Sequence, residues 1–156
     1  MSASRPLLSV CIPTFNRSAL LSRSLQSVYD ECPSDRVEII VLDNASSDKT
    51  AQVVEQAQQA DPRIQYVKND VNLGLDGNII KAIATASGDY VFLFSDDDVL
   101  LPGSGAAVLS AIESFTPSLL YLDHVGVWDD EDPRTVLTQR SGFHAENDIY
   151  ADGFSF

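Results

Sequence analysis

Four short apolar runs, at residues 7–12, 37–42, 64–68 and 90–94, alternate with stretches whose apolar residues recur at helical spacing, and this rhythm constrains the fold of the chain most. Short, continuously apolar segments read as strands buried on both faces. Strands separated by helices pair in parallel, because the crossover returns the chain to the same end of the sheet. Leu21, Leu25 and Val28 mark a helix over 18–29, and Val53, Val54 and Ala57 mark a second one after the N-cap candidates at 43–48. Residues 69–77, rich in Asn, Asp and Gly, read as a loop, followed by a helix over 78–86 with Ile79, Ile80 and Ile83 on one face. Pro102 is expected to open a further helix through Phe115, with Val108, Leu109, Ile112 and Phe115 as its stripe, and residues 119–122 to begin another strand. The expected fold is α/β: a mostly parallel sheet with helices on both faces and right-handed crossovers.

Beyond Asp123 the rhythm gives way to shorter β-like pieces at 125–128 and 135–139, separated by the acidic turn Asp129-Asp130-Glu131-Asp132-Pro133. Residues 140–156 show no clear periodicity. One domain over 1–156 is expected, cut from a longer protein. A length of 156 residues, 44% of them hydrophobic, suffices for one core.

The formal net charge of −13 argues against phosphate-backbone contacts with nucleic acid and against docking on anionic lipid. A polyanionic ligand remains compatible if a divalent cation screens the repulsion. Cys11, in an expected strand, and Cys32, in an expected loop, have no CxxC spacing and read as free thiols in a reducing compartment. No apolar run approaches the roughly 20 residues that span a bilayer, and the first residues lack a secretion signal. The expected location is cytoplasmic, with a peripheral place at the inner face of the membrane as the alternative.

In a parallel sheet the loops after successive strands open on one edge, which is where open α/β sheets bind ligands. Three such loops carry chemistry: Pro13-Thr14-Phe15-Asn16-Arg17, Asp43-Asn44-Ala45-Ser46, and Ser95-Asp96-Asp97-Asp98. Together they offer an aromatic ring, amides, one guanidinium and clustered carboxylate oxygens, a set that suits base, ribose and diphosphate with Mg²⁺ or Mn²⁺. The carboxylates of 96–98 also have a plainer reading as decoration of the next helix N-terminus, but the dipole would return only ~0.3–1 kcal/mol. Three adjacent acids repel one another, so a bound cation is the better account. Helix capping accounts equally well for Ser46, Ser47 and Asp48, and a turn needing positive φ for Asn72 and Gly74. The run at 129–132 reads as a solvated turn, and His124 and His144 as histidines without a task. The chain has no GxxxxGK[ST], no GxGxxG after the first strand and no GxSxG, so P-loop, dinucleotide-binding and hydrolase readings lose support.

The ordered motifs Ser9-Val10-Cys11-Ile12-Pro13-Thr14-Phe15-Asn16-Arg17, Val41-Leu42-Asp43-Asn44-Ala45-Ser46-Ser47-Asp48-Lys49-Thr50, Asn72-Leu73-Gly74, and Gly88-Asp89-Tyr90 leading to Ser95-Asp96-Asp97-Asp98 and Pro102 resemble the nucleotide-sugar-binding half of a family 2 glycosyltransferase of the GT-A fold. The resemblance covers residues 7–115, leaving 116–156 as the start of an acceptor-side part. Within the family it is nearest to abequosyltransferase- and rhamnosyltransferase-like members that build bacterial surface polysaccharide. It implies an inverting transferase of the hexosyltransferase type that passes a sugar from a nucleoside-diphosphate sugar to the hydroxyl of a glycan or lipid-linked acceptor, with Mg²⁺ or Mn²⁺. Pro13, Thr14 and Phe15 would line the base pocket with Asn16 and Arg17 nearby, and Asp43 or Asn44 would bond the base. Asn72 and Gly74 would belong to the donor site, Asp96 would hold the ribose, and Asp97 the metal, with Asp98 as a further ligand. Ser95 stands where many members carry the first acid of an Asp-x-Asp motif.

Displacement at an anomeric carbon also needs a base on the acceptor hydroxyl. The catalytic base is unassigned, with Asp123, Asp129, Asp130 and Glu146 the late carboxylates that have a claim. A non-catalytic nucleotide- or metal-binding module is the alternative expectation. A sugar-nucleotide pyrophosphorylase would carry glycines in its first loop, and residues 13–17 have none.

Overall fold

The computed structural model describes residues 5–120 and 122, and these fall in two units, one ending at Leu100 and one beginning at Leu101. The first unit contains β1 (Leu8–Thr14), α1 (Ser18–Glu31), β2 (Val37–Asp43), α2 (Thr50–Ala60), β3 (Ile64–Lys68), α3 (Gly74–Thr85) and β4 (Tyr90–Leu93). The four strands form one sheet in the order β3-β2-β1-β4, every pair parallel. From β1 the chain steps outward through β2 to β3 and then crosses back past β1 to β4. With right-handed crossovers this puts α1 and α2 on one face and α3 on the other.

The strand period of two sorts the core accordingly. Cys11, Ile40 and Leu42 pack with Ala82 of α3, while Val10, Ile12, Ile39 and Val41, pointing the other way, are buried together with Leu21, Leu25 and Val28 of α1 and Val54 of α2. Cys11 and Cys32 are both free and buried, and burial, aided by the charge of Glu38, pushes the Cys11 thiol up to about 11.

Several expectations need correction. β1, expected over 7–12, continues through Pro13 to Thr14. The Cys11 carbonyl faces β4, accepting from Phe94 N–H at 2.9 Å, so the nitrogen of Pro13, two residues on, faces the same side. Pairing with β4 stops at Cys11 and Leu93, so no ladder bond needs the donor that proline lacks. β4 was expected to be buried on both faces, but Val91 and Leu93 are exposed and β4 is the last strand of the sheet among the described residues.

Helix α3 begins at Gly74, within the expected loop. Gly74 takes φ +74°, its N–H donates to Asn72 Oδ1 at 2.8 Å, and Leu73 N–H donates to Asn44 Oδ1 at 2.8 Å. Its buried residues are Asn78 and Ala82, whereas Ile80 and Ile83, expected to face the core, are exposed. A small residue at 82 allows close approach: the Cys11 thiol reaches the Ala82 carbonyl at 3.5 Å. The amide of Asn78 donates to Leu42 O at 2.9 Å, so hydrogen bonding rather than hydrophobicity orients this helix.

The end of the sheet opposite the strand C-termini is held by a buried acid. Glu38 accepts from Ser9 Oγ at 2.5 Å, from the N–H groups of Ser87 and Gly88 at 2.6 and 3.1 Å, from Ser87 Oγ at 2.9 Å and from Gln65 Nε2 at 3.0 Å. The turn into β4 is thereby fastened to β1 and β2. A Cβ built on Gly88 would lie 2.7 Å from Ser9 Oγ and 2.9 Å from the Ser9 backbone nitrogen. Gly88→Ala is therefore expected to cost about 1–3 kcal/mol, read as a lower denaturant midpoint at unchanged slope.

In the second unit, α4 (Ser104–Phe115) begins after Gly103 at φ +84°, two residues later than Pro102 predicts, and buries Gly105, Val108 and Ile112. Phe115, expected in its stripe, is exposed. Residues 119, 120 and 122 belong to no strand, and Leu119 is 80% exposed: the strand expected there has no partner to pair with among the described residues. The β-like pieces at 125–128 and 135–139 lie outside the described residues.

Candidate functional site

All four strands end on one edge, and the order reverses at β1: its own crossover goes to β2 on one side, while the last one arrives at β4 on the other. A crevice at such a switch point is where open α/β sheets place ligands. The loops that flank it are 15–17 after β1 and 94–98 after β4, joined by a chain of polar contacts.

Asp96 is buried and held from two directions. Thr14 Oγ1 donates to its Oδ2 at 2.7 Å and Arg17 Nη1 to its Oδ1 at 3.1 Å. The same Nη1 lies 3.0 Å from Asp97 Oδ2, and Ser95 donates its hydroxyl to the other oxygen of Asp97. The bond to Asp96, with the charges of Asp96 and Asp97, holds the Arg17 guanidinium protonated more firmly than usual. Among the described residues no three acidic, histidine or cysteine side chains come together as a metal cage. The expected trio of 96–98 is thus a pair, Asp96 and Asp97, with a guanidinium between them, and Asp98 is exposed beside it.

Beneath this loop are two residues that the sequence reading missed. Ser24 Oγ lies 2.9 and 2.6 Å from the carbonyls of Asp96 and Asp98, and Ser27 Oγ accepts from Leu100 N–H at 3.0 Å while donating to Ser24 O at 2.7 Å. Both serines are buried on the face of α1 that carries Leu21, Leu25 and Val28. Hydroxyls interrupting an apolar stripe were the signal available.

The loops after β1 and β2 are stitched reciprocally. Asn16, at φ +54°, accepts on Oδ1 from the N–H groups of Ser47 and Asp48 at 2.8 and 3.3 Å, and its own N–H donates to Ser46 Oγ at 2.9 Å. Asp48 in turn accepts from Ser18 N–H at 3.0 Å, at the start of α1, and from Thr50 N–H and Oγ1 at 3.0 and 2.5 Å, at the start of α2. Burial would raise the Asp48 carboxyl, but the bonds from Thr50 and Ser18 outweigh it and hold it at about 2. Capping is what Asp48 does here.

Asp43 has no exposed surface. Its Oδ1 accepts from Ser46 N–H at 2.7 Å, its Oδ2 accepts from Tyr66 Oη at 2.5 Å, and Lys68 Nζ, bonded to Ser46 O at 2.7 Å, lies 3.7 Å from the same Oδ2. Burial and then the bond to Asp43 push the Tyr66 phenol well above its ordinary value. Asn44 is saturated: Nδ2 donates to Asn72 Oδ1 and Gly74 O at 2.8 and 3.1 Å, and Oδ1 accepts from Asn69 Nδ2 and Leu73 N–H at 3.1 and 2.8 Å. Asn69 also donates to Asn78 Oδ1 at 2.8 Å, so four asparagines join the ends of β2 and β3 to α3. Asn69, Asn78, Tyr66 and Lys68 were not singled out by sequence; their roles depend on which strand ends become neighbours.

On the accessible side are Phe15, 43% exposed, and half-buried Pro13, with Arg17, Asn72 and Gly74 exposed. Asp123, His124, Asp129, Asp130, His144 and Glu146 lie outside the described residues.

Residues 9–151 match the model of glycosyl transferase family 2. A β-1,3-glucosyltransferase of Campylobacter jejuni, named for the substrate GalNAc(5)-diNAcBac-PP-undecaprenol, is 43% identical over 100 residues, covering 64% of this chain and 32% of its own length. An abequosyltransferase of Salmonella typhimurium is 36% identical over 110 residues, covering 69% and 33%. The chain therefore spans about a third of the length of these curated relatives. Among solved structures, S. aureus TarS in complex with UDP superposes with a TM-score of 0.70 at 23% identity, over 81% of this chain and 38% of that one. A mannosyltransferase of Pyrobaculum calidifontis in complex with GDP-Man and Mn²⁺ gives 0.64 at 24%, over 74% and 34%. With its parallel sheet, its loops at one edge and this match over most of its length, the chain belongs to glycosyl transferase family 2 and has the α/β fold of the GT-A glycosyltransferases.

Proposed function

We propose that this chain is the donor-binding part of an inverting glycosyltransferase, taking a nucleoside-diphosphate sugar with Mg²⁺ or Mn²⁺ and passing the sugar to a glycan or lipid-linked acceptor in bacterial polysaccharide or glycolipid synthesis. The observation that carries the reading is the contact chain Thr14–Asp96–Arg17–Asp97 across the switch point of the sheet. The solved neighbours in complex with UDP and with GDP-Man and Mn²⁺ support the donor class, and the relative named for an undecaprenol-linked substrate supports the acceptor class.

The residues fit a hard divalent cation in a particular way. Mg²⁺ and Mn²⁺ are commonly held by one or two carboxylates plus phosphate oxygens rather than by an all-protein cage, which agrees with a pair of acids here. Asp97, with a half-exposed side chain, is the ligand in this proposal, with the exposed Asp98 next to it in the chain as a further one. Bound there, the cation supplies Lewis-acid stabilisation of the departing diphosphate. Asp96, fixed by Thr14, is the acceptor for ribose hydroxyls. Phe15 and Pro13 form the apolar wall against the base, and the loop at Asn72 and Gly74 forms another side of the site. Asp43 and Asn44 enter as framework: their bonding is spent inside the protein, so the direct base contact expected of one of them is not kept. The acceptor base is unassigned.

Calorimetric titration with UDP, dTDP, GDP and CDP, each with and without Mn²⁺, tests the reading. One nucleotide is expected to bind only with the metal present; equal or absent heats for all four would refute the donor site. Release of nucleoside diphosphate that accelerates with acceptor separates an enzyme from a binding module.

A further inference from the structure

The Arg17 guanidinium occupies the space between the two carboxylates to which the proposed function assigns ribose and metal. It makes one contact to each, 3.1 Å to Asp96 and 3.0 Å to Asp97. The three members of this cluster are not equally anchored. Asp96 is buried and its second oxygen is bonded to Thr14, while the backbone carbonyls of Asp96 and Asp98 are fastened to Ser24. Arg17, by contrast, leaves half its side chain in solvent, and its contacts in the cluster are those through Nη1. It stands immediately before α1, on a loop whose backbone is pinned by the Asn16 bonds, so the side chain can move while its root stays fixed.

Resting on the donor-site reading, we propose that Arg17 is a resident counter-cation: it neutralises Asp96 and Asp97 in the free protein, yields Asp97 to the divalent metal, and turns to the diphosphate that arrives with it. Two carboxylates and one guanidinium leave a single negative charge, which keeps the loop after β4 compact in the absence of ligand. A divalent cation displaces a monovalent one from an oxygen pair when a second anion joins the site, because the guanidinium then has diphosphate oxygens to pair with bidentately. Metal alone has to compete with Arg17; metal with nucleoside diphosphate does not. This device makes metal and donor binding cooperative, each improving the affinity of the other by the same factor.

The test is Arg17→Gln, with Arg17→Lys as a second variant, because an exposed side chain tolerates both without loss of the fold. Mn²⁺ binding is read by electron paramagnetic resonance, first with Mn²⁺ alone and then with whichever of UDP or GDP the wild-type chain binds. Arg17→Gln is expected to bind Mn²⁺ alone roughly tenfold more tightly and the Mn²⁺–nucleotide combination roughly tenfold more weakly, opposite changes on the scale of a charge-assisted hydrogen-bond pair. Arg17→Lys, which keeps the charge and loses the fork, is expected between wild type and Arg17→Gln. Equal or weaker affinity of Arg17→Gln for Mn²⁺ alone, with wild-type binding intact, overturns the counter-cation and leaves the donor site standing. Failure of the wild type to bind Mn²⁺ or either nucleotide overturns the donor site itself and this inference with it.

Discussion

Replacing Asp97 with alanine is expected to abolish metal-dependent nucleotide binding, a loss of a hundredfold or more in affinity, about 2.8 kcal/mol. The chain carries a formal charge of −13, and two of its carboxylates, Asp96 and Asp97, stand at the site itself with only Arg17 between them. A diphosphate brought to such a surface meets repulsion that only a cation offsets, and Asp97 is the half-exposed member of the pair that can hold one. Asp96, by comparison, is buried and committed to Thr14, so its removal would disturb the loop as well as the ligand. Calorimetry of Asp97→Ala with the wild-type nucleotide and Mn²⁺ reads the effect, with circular dichroism as the check on folding. Unchanged affinity would remove Asp97 from the metal role.

The second large effect is on stability and lies at the opposite end of the sheet. Glu38→Gln is expected to destabilise the fold by about 2–3 kcal/mol at neutral pH, seen as a lower denaturant midpoint. The carboxylate receives hydrogen bonds from Ser9, Gln65, Ser87 and Gly88, and on Oε1 alone it takes three. An amide places an NH₂ group where one of the two oxygens stands, so donors face a donor in a buried site. The same arrangement sets a pH dependence. Burial would raise the Glu38 carboxyl, but the bonds from Ser9, Ser87 and Gly88 outweigh it and hold the group below its ordinary value. A depressed carboxyl contributes its stability above the unfolded value, near 4.3, and loses it as the pH falls through the folded value. The gap between wild type and Glu38→Gln should therefore narrow below about pH 4, and a gap constant from pH 7 to pH 3 would contradict the ionic part of the argument.

Some of this was legible in the residues and some was not, and particular elements show the boundary. β3 stands where its pattern predicts, and β1, β2 and α1 differ from expectation by a residue or two at their ends, since continuous apolar runs and amphipathic stripes are local signals. The beginning and the facing of α3 were not legible. Its three isoleucines outweigh Asn78 and Ala82 on any hydrophobic count, yet Asn78 is bonded to Leu42 and Asn69 and the small Ala82 meets Cys11. Likewise nothing local marks Glu38 as a fastening point, because its donors come from residues 9, 65, 87 and 88, which only the sheet brings together.

For the candidate site, sequence alone determined the inventory: which side chains end the strands, that the strands run parallel, and hence that Pro13 to Arg17, Asp43, Asn44 and 95–98 share one edge. Those facts follow from local periodicity and from the direction that a helical crossover imposes. The tertiary structure decided the assignments within that inventory, separating Asp43 and Asn44, which are buried with their polar groups bonded inside the protein, from Phe15, Arg17 and Asp97, which are exposed. It also decided that Arg17 stands between Asp96 and Asp97. The physical reason is that hydrogen-bond satisfaction and charge pairing depend on neighbours some 80 positions apart in the chain, and their proximity comes from the order β3-β2-β1-β4 rather than from any local pattern.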